Sequence, residues 1–162
     1  MGRRGLGEMA ETRSRMSEPS ASVPIRIRDA IQADRPYLAW LEEACMRDYA
    51  VALWGVWRTR PGESLDLRQY RILVASERDA GCIGVRREVD HLWIDALYVA
   101  PGFQNRGIGA AALRIAVSEG AAEGLPVRLS VLTTNPALAF YLRNGLVVER
   151  ETVERRYLTT SP

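Results

Sequence analysis

Residues 102–111 have the sequence GFQNRGIGAA, which joins a strand-like segment to a helix-like segment. Gly107 and Gly109 stand at the start of the predicted helix, where each glycine costs about 1 kcal/mol relative to alanine. A helix N-terminus carries unpaired N–H groups and a partial positive charge, and glycine lets an anion approach them without a Cβ in the way. The segment therefore predicts a phosphate-binding loop, with a tight connection that binds no ligand as the alternative.

Two common phosphate-binding motifs do not account for this loop. The spacing Gly107-x-Gly109-x-x-Ala112 has the letters of the dinucleotide fingerprint, which also needs an acidic residue at the end of the next strand. That strand ends in SVLTTN (130–135), which contains no Asp or Glu. The nucleotide P-loop needs a lysine, and the sequence has none.

The composition is that of one soluble globular domain, with 162 residues, 47% hydrophobic and 26% charged. A net charge of +2 gives no electrostatic basis for binding nucleic acid. Cys45 and Cys82 have no CxxC spacing, and His91 is the one histidine, so no metal site is predicted. Reduced cysteines and the lack of an apolar leader predict a cytoplasmic protein without membrane association.

The chain divides into a tail and a domain. Residues 1–23 are small, polar and aperiodic, which predicts a disordered tail, and 24–162 form the predicted domain. A helix is expected to be capped by Asp34, with Pro36 in its first turn, and a short helix to run from Asn135 to Gly145. A hairpin turn is predicted at RDAG (78–81), between strands at 70–77 and 82–89. The predicted element order is β-α-β-β-β-α-β-α-β-β, a mixed sheet with helices on its faces.

Two segments resemble signatures of the GNAT superfamily of N-acetyltransferases. LYVAPGFQNRGIGAAAL (97–113) is similar to its acyl-CoA-binding segment, whose pattern Gln/Arg-x-x-Gly-x-Gly/Ala is filled by Gln104, Gly107 and Gly109. NPALAFYLRNGL (135–146) is similar to a second signature with Asn135 and Tyr141 in register, although Leu146 replaces the usual Phe. RDYAVALWG (47–55) resembles a bacterial subgroup. The resemblance covers about residues 25–159 and implies an α/β GNAT fold, with a mostly antiparallel mixed sheet of about seven strands and helices on both faces.

The resemblance also implies acetyl-CoA as co-substrate, without a metal. The pantetheine arm would pair with the strand residues Leu97, Tyr98 and Val99, next to Asn135. The pyrophosphate would be bound by N–H groups of the loop, which comprises Gln104, Asn105, Arg106, Gly107, Ile108, Gly109 and Ala110.

Acetyl transfer to an amine needs a base, donors for the oxyanion and an acid for the leaving thiolate. By resemblance Tyr141 is the candidate acid, and a core aromatic side chain is the alternative. Asp95 interrupts the apolar run LWIDALYV (92–99) and is the candidate base, with a structural ion pair as the alternative. Glu88 and Asp90 are weaker candidates.

Three aromatic residues, Tyr49, Trp54 and Trp57, follow one another where GNAT folds build the acceptor wall, although a role in the core is slightly favoured. The sequence predicts an acetyl-CoA-dependent N-acetyltransferase that transfers acetyl directly to a primary amine of a small molecule in a ternary complex. A protein N-terminal acetyltransferase and a non-catalytic acyl-CoA sensor are the alternatives. No nucleic acid or membrane partner is expected, and a homodimer is compatible with the sequence.

Overall fold

The computed structural model describes residues 23–161. Most of the predicted disordered tail therefore lies outside the described residues, and Val23 at its end donates its N–H to the carbonyl of Arg106 at 3.2 Å. The strands are β1 (Ile25–Asp29), β2 (Tyr70–Ala75), β3 (Arg78–Arg87), β4 (Leu92–Val99), β5 (Val127–Leu132), β6 (Leu146–Glu151) and β7 (Arg155–Thr160). The α-helices are α1 (Arg35–Trp54), α2 (Ile108–Ala122) and α3 (Leu138–Arg143). The predicted element order is confirmed.

The seven strands form one sheet in the order β1-β2-β3-β4-β5-β7-β6. Only β4 and β5 are parallel among the neighbouring strands of the described chain, and the other pairs are antiparallel. Helix α1 packs through Leu38 and Leu41 on one face of the sheet, and α2 packs through Leu113 and Ala116 on the other. The predicted mixed sheet with helices on both faces is confirmed.

Helix α1 has clear signals at both ends. Pro36 lies in its first turn, where the missing proline N–H has no intrahelical partner to lose, and Gly55 ends the helix with a φ of 73°. Asp34 is the N-cap residue of α1, as predicted, although its side chain makes no capping hydrogen bond to this helix. Instead its carboxylate accepts from the Ile31 N–H at 2.8 Å and from both terminal nitrogens of Arg28 at 2.9 Å.

The β2–β3 hairpin differs from the prediction. Its turn is formed by Ser76 and Glu77, whose φ values are 51° and 60°, and β3 begins at Arg78. The turn predicted at 78–81 is therefore wrong by two residues. Two-residue hairpin turns with positive φ favour Asn, Asp and Gly, so Ser-Glu carries no sequence signal for one. Helix α3 likewise begins at Leu138, later than predicted.

Candidate active site

Strands β4 and β5 are paired over only one end of their length. The pairs are Leu92 with Val127 and Trp93 with Arg128, and the strands separate beyond them. Between the separated ends lies a cleft of about 660 Å³. Parallel neighbours normally continue their hydrogen-bond ladder, so this separation leaves backbone N–H and C=O groups facing the cleft.

Asp95 lies at an irregularity in β4. The β3 residues Val85 and Gly84 pair with Ile94 and Ala96, which leaves Asp95 without a partner in the ladder. This is a β-bulge, a feature that redirects side chains near functional sites. The Asp95 side chain lines the cleft, is 20% exposed, and lies 3.4 Å from a guanidinium nitrogen of Arg86. Asp95 therefore lies in the cleft, where a base would be needed, and it also forms an ion pair, which was the alternative hypothesis.

Tyr141 lines the same cleft from α3. The residue is 8% exposed and its ring packs edge-to-face on Phe140, with the centroids 5.0 Å apart. Burial raises the pKa of Tyr141 to about 12, so its hydroxyl holds its proton throughout the neutral range. Tyr141 thus belongs both to the core and to the cleft, and the hydrophobic pattern alone could not separate these roles.

The glycine loop leads from β4 into α2. Gly107 immediately precedes the helix with a φ of 77°, and Asn105 has a φ of 61°. The N–H of Ala111 is bonded to the Gly107 carbonyl, so the N–H groups of residues 108–110 come too early in the helix to find an intrahelical acceptor. Gly109 differs from Gly107, because a Cβ there would make ordinary contacts at 3.5 Å. Of these two glycines, Gly107 is the one whose positive φ favours glycine over other residues.

The polar residues of the loop divide into two groups. Gln104 turns back and donates its side-chain amide to the Val99 carbonyl at 3.0 Å. Asn105 and Arg106 are exposed, and the Arg106 guanidinium carbon lies 5.7 Å from the centre of the Phe103 ring. Arg78, which sequence reasoning missed, lies 5.3 Å from the same ring. The loop therefore has a positively charged rim.

The strand residues predicted to pair with pantetheine all line the cleft. Leu97, Tyr98 and Val99 pair with β3 on one side only. The Val99 carbonyl also accepts from the thiol of Cys45, with the sulfur 3.4 Å away. Asn135 lines the cleft too, and its side-chain oxygen accepts from the Ala137 N–H at 2.9 Å, which fixes the turn before α3.

The cleft also has an aromatic wall. Tyr49, Trp54 and Trp57 line it, and Trp54 is 43% exposed, so the slight preference for a core role was wrong for Trp54. Trp93 and Tyr157 extend the wall with their ring centres 6.4 Å apart. Sequence reasoning missed these two because they come from β4 and β7, which are distant in sequence.

A second carboxylate also lies in the cleft. The Glu42 side chain is 17% exposed and one of its oxygens lies 2.7 Å from a guanidinium nitrogen of Arg60. By contrast, the weaker candidate bases do not line the cleft, since Glu88 pairs with Arg86 and Asp90 with His91. Among residues 23–161, no group of three His, Cys, Asp or Glu side chains is arranged to hold a metal ion.

Comparison with known proteins identifies the domain. The family model described as the acetyltransferase (GNAT) domain matches residues 68–147, which include the glycine loop, Asp95 and Tyr141. The chain contains a GNAT acetyltransferase domain. Its enzyme class is therefore that of the acetyl-CoA-dependent N-acetyltransferases. No curated protein matches the sequence of this GNAT domain significantly.

Solved structures share the fold of the GNAT domain. The PaiA N-acetyltransferase of Thermoplasma acidophilum in complex with coenzyme A is 18% identical, with a TM-score of 0.67 over 86% of this chain and 99% of that chain. The ribosomal-protein-S18-alanine N-acetyltransferase of Escherichia coli is 16% identical, with a TM-score of 0.66 over 85% and 93% of the two chains. The N-acetylglutamate synthase of Neisseria gonorrhoeae, complexed with coenzyme A and L-arginine, is 19% identical, with a TM-score of 0.63 over 84% and 32%. At these identities the likeness shows the fold.

None of the helices within residues 23–161 of the GNAT domain is long and apolar enough to cross a membrane.

Proposed function

We propose that this GNAT domain transfers the acetyl group of acetyl-CoA directly to a primary amine of a small molecule within a ternary complex. The observation that carries the proposal is the separation of β4 from β5, which opens a cleft lined by Asp95 and Tyr141. A buried, protonated phenol and a carboxylate at the same cleft are the acid and base that this reaction needs.

The proposed cofactor site extends along β4 into the glycine loop. The open edge of Leu97, Tyr98 and Val99 offers backbone groups to the amides of pantetheine. The unpaired N–H groups at the start of α2 suit the pyrophosphate, and the positive φ of Gly107 directs the backbone without a side chain. Arg78 and Arg106 add positive charge at the rim.

The proposed reaction is a series of proton and bond changes. Asp95, directly or through a water, takes the proton that the ammonium must lose before its nitrogen can attack. The nitrogen then forms the amide bond with the thioester carbonyl, whose developing negative charge is stabilised by a free N–H of β4. The carbon–sulfur bond breaks and Tyr141 donates its proton to the departing thiolate. The nitrogen then gives up its second proton, which returns the Tyr141 phenolate to its neutral form directly or through a water, and Asp95 releases its proton to the solvent.

Direct transfer is favoured over an acetyl-enzyme by the state of Cys45. Its sulfur is the one thiol among the residues that line the cleft. Burial raises the pKa of Cys45 to about 11, so at neutral pH it is a protonated and poorly nucleophilic thiol. Cys45 and Cys82 are both free, which fits the reducing cytoplasm where we propose that the protein acts.

A small acceptor is favoured over a peptide by the size and walls of the cleft. The volume of about 660 Å³ has to receive the pantetheine arm as well as the acceptor, and the bulky side chains of Trp54 and Trp57 line the same space. Solved relatives include an enzyme named for a ribosomal protein and one named for an amino acid, so the fold alone does not decide between them. A sensor of acyl-CoA would not require Asp95 and Tyr141.

A thiol-release assay tests this proposal. Purified protein is given acetyl-CoA with polyamines, aminoglycosides, amino acids or short peptides, and mass spectrometry identifies any acetylated amine. We expect at least one class of small amine to accelerate thiol release with formation of its acetamide. Acceleration by peptides alone would favour the peptide alternative. Acetyl-CoA binding without acceleration by any amine would favour the sensor.

A further inference from the structure

Arg155 is a half-buried cation that lines the cleft beside its aromatic wall. It begins β7, donates from Nη1 to the Ser130 hydroxyl at 3.0 Å, and its guanidinium carbon lies 6.0 Å from the centre of the Trp54 ring. Within residues 23–161, no carboxylate lies within 4.0 Å of the Arg155 guanidinium, the limit for a salt bridge. Holding such a group partly away from water is costly unless an anion compensates it.

The other charges of the cleft do not supply that anion. The carboxylates of Glu42 and Asp95 are paired with Arg60 and Arg86. The exposed Arg58 adds another cation to the same wall. The indole N–H of Trp57 is buried and has no acceptor among the described residues. Arg155, Arg58 and the indole N–H of Trp57 therefore have no carboxylate partner among the described residues.

The sheet sets the distance between Arg155 and the proposed base. Arg155 pairs with Leu132, and its guanidinium reaches along the strands to Ser130 on β5, which is the direct neighbour of β4. Neighbouring strands lie about 5 Å apart, so the guanidinium lies about one strand spacing from the line of β4, and more where the strands separate. A molecule of amino-acid size can therefore place its amine near Asp95 and an anion at Arg155.

We propose that the acceptor is an amino acid or a closely related amine with a free carboxylate, and that Arg155 binds this carboxylate. The inference rests on the proposed acetyl transfer and names its substrate class. A guanidinium has five N–H donors in a planar fork, so Arg155 can keep its bond to Ser130 and still bind a carboxylate through its remaining donors. The aromatic wall of Tyr49, Trp54 and Trp57 would contact the side chain of the acceptor.

Matched acceptors test the proposal. Phenylalanine and methionine are compared with phenylalaninamide and methioninamide in the thiol-release assay. The amides have more free amine at neutral pH, so intrinsic reactivity favours them, and a preference for the acids has to come from binding. A hydrogen-bonded ion pair predicts a kcat/KM about tenfold to a hundredfold higher for the acids.

Two variants locate the source of that preference. Arg155→Gln should bring the ratio of acid to amide close to one, and because the ratio is measured within one variant it is insensitive to the amount of folded protein. Arg114→Gln removes an exposed arginine of α2, on the other face of the sheet, and should keep the ratio of the original protein. A preference below threefold in the original protein, or one that Arg155→Gln retains, would overturn the inference.

A binding measurement separates failure of this inference from failure of the proposed function. Calorimetry with coenzyme A present compares N-acetylphenylalanine with N-acetylphenylalaninamide, and it needs no turnover. Tighter binding of the acid that Arg155→Gln abolishes supports the carboxylate site even if no amine is acetylated. Equal binding of acid and amide refutes the site even if amines are acetylated.

Discussion

Replacing Gly107 by alanine tests the assignment of the cofactor loop, and Gly124 provides a matched control. Both glycines have positive φ, 77° and 69°, and they lie at opposite ends of α2. A Cβ at Gly124 would meet no atom within 4 Å. Alanine at either position should therefore carry the same backbone cost, about 1–2 kcal/mol for an L-residue held in the left-handed region.

The two variants should differ in cofactor binding alone. For a domain of this size, the shared cost should lower the melting temperature of each by about 2–8 °C. At Gly107 the added methyl group also obstructs the approach of the pyrophosphate to the N–H groups at the start of α2. Losing one hydrogen bond to a charged oxygen costs about 1.5–3 kcal/mol, so the Kd for acetyl-CoA should rise about tenfold to a hundredfold. Gly124→Ala should bind acetyl-CoA as the original protein does.

Calorimetric titration with acetyl-CoA measures the affinity, and thermal unfolding without ligand measures the stability. The informative quantity is the difference between the variants, because the backbone strain common to both cancels. If both bind acetyl-CoA within twofold of each other while both remain folded, the pyrophosphate does not lie at the start of α2, and the glycine loop is only a tight connection.

Three further substitutions test separate parts of the argument. Tyr141→Phe keeps the aromatic ring but removes the hydroxyl that donates the proton, so kcat should fall by about 10²- to 10⁴-fold in the thiol-release assay. A fall in kcat of less than threefold would leave Tyr141 with a packing role only. Because burial raises the pKa of Tyr141 to about 12, the original protein should show no loss of kcat from this group up to pH 10. Asp95→Asn should lower the rate while acetyl-CoA affinity is kept, whereas an unchanged rate would make Asp95 a structural charge. Asp34→Ala should lower the free energy of unfolding, measured in urea at neutral pH, by about 2 kcal/mol through loss of charged hydrogen bonds. Hydrogen bonding from Arg28 lowers the pKa of Asp34, so this stabilisation is present above the ordinary carboxyl pKa and is lost as the pH falls through the lowered value. An equal effect of the substitution below the lowered pKa would contradict this explanation.

The element order could be predicted because it depends on local patterns. The apolar periodicity of β4 and α2 and the breaks at Gly55 and Gly145 lie in single short stretches of the chain. The hairpin turn at Ser76 and Glu77 could not be predicted, because neither residue type is typical of positive φ and the pairing of β2 with β3 imposes it.

The candidate site was predictable where the chain carries a continuous motif. Gly107 and Tyr141 belong to such motifs, and the structure brings their segments together. Glu42 and Arg155 belong to none, and they reach the cleft only because α1 and β7 pack on either side of it. Their significance follows from their contacts, which join Glu42 to Arg60, 18 positions away, and Arg155 to Ser130 and Trp54, 25 and 101 positions away.

The bulge at Asp95 has a consequence for the whole of β4, because a strand alternates sides with a period of two. Before the bulge the even positions Leu92 and Ile94 face the α2 core, whereas after it the odd positions Leu97 and Val99 pack there. The extra residue at Asp95 thus shifts the alternation of side chains between the two faces of the sheet by one residue between the two halves of β4. Deleting Asp95 would restore one uninterrupted alternation, with Leu92, Ile94, Leu97 and Val99 on the same side, so the fold should tolerate loss of this residue while the cleft loses the carboxylate that the bulge places there.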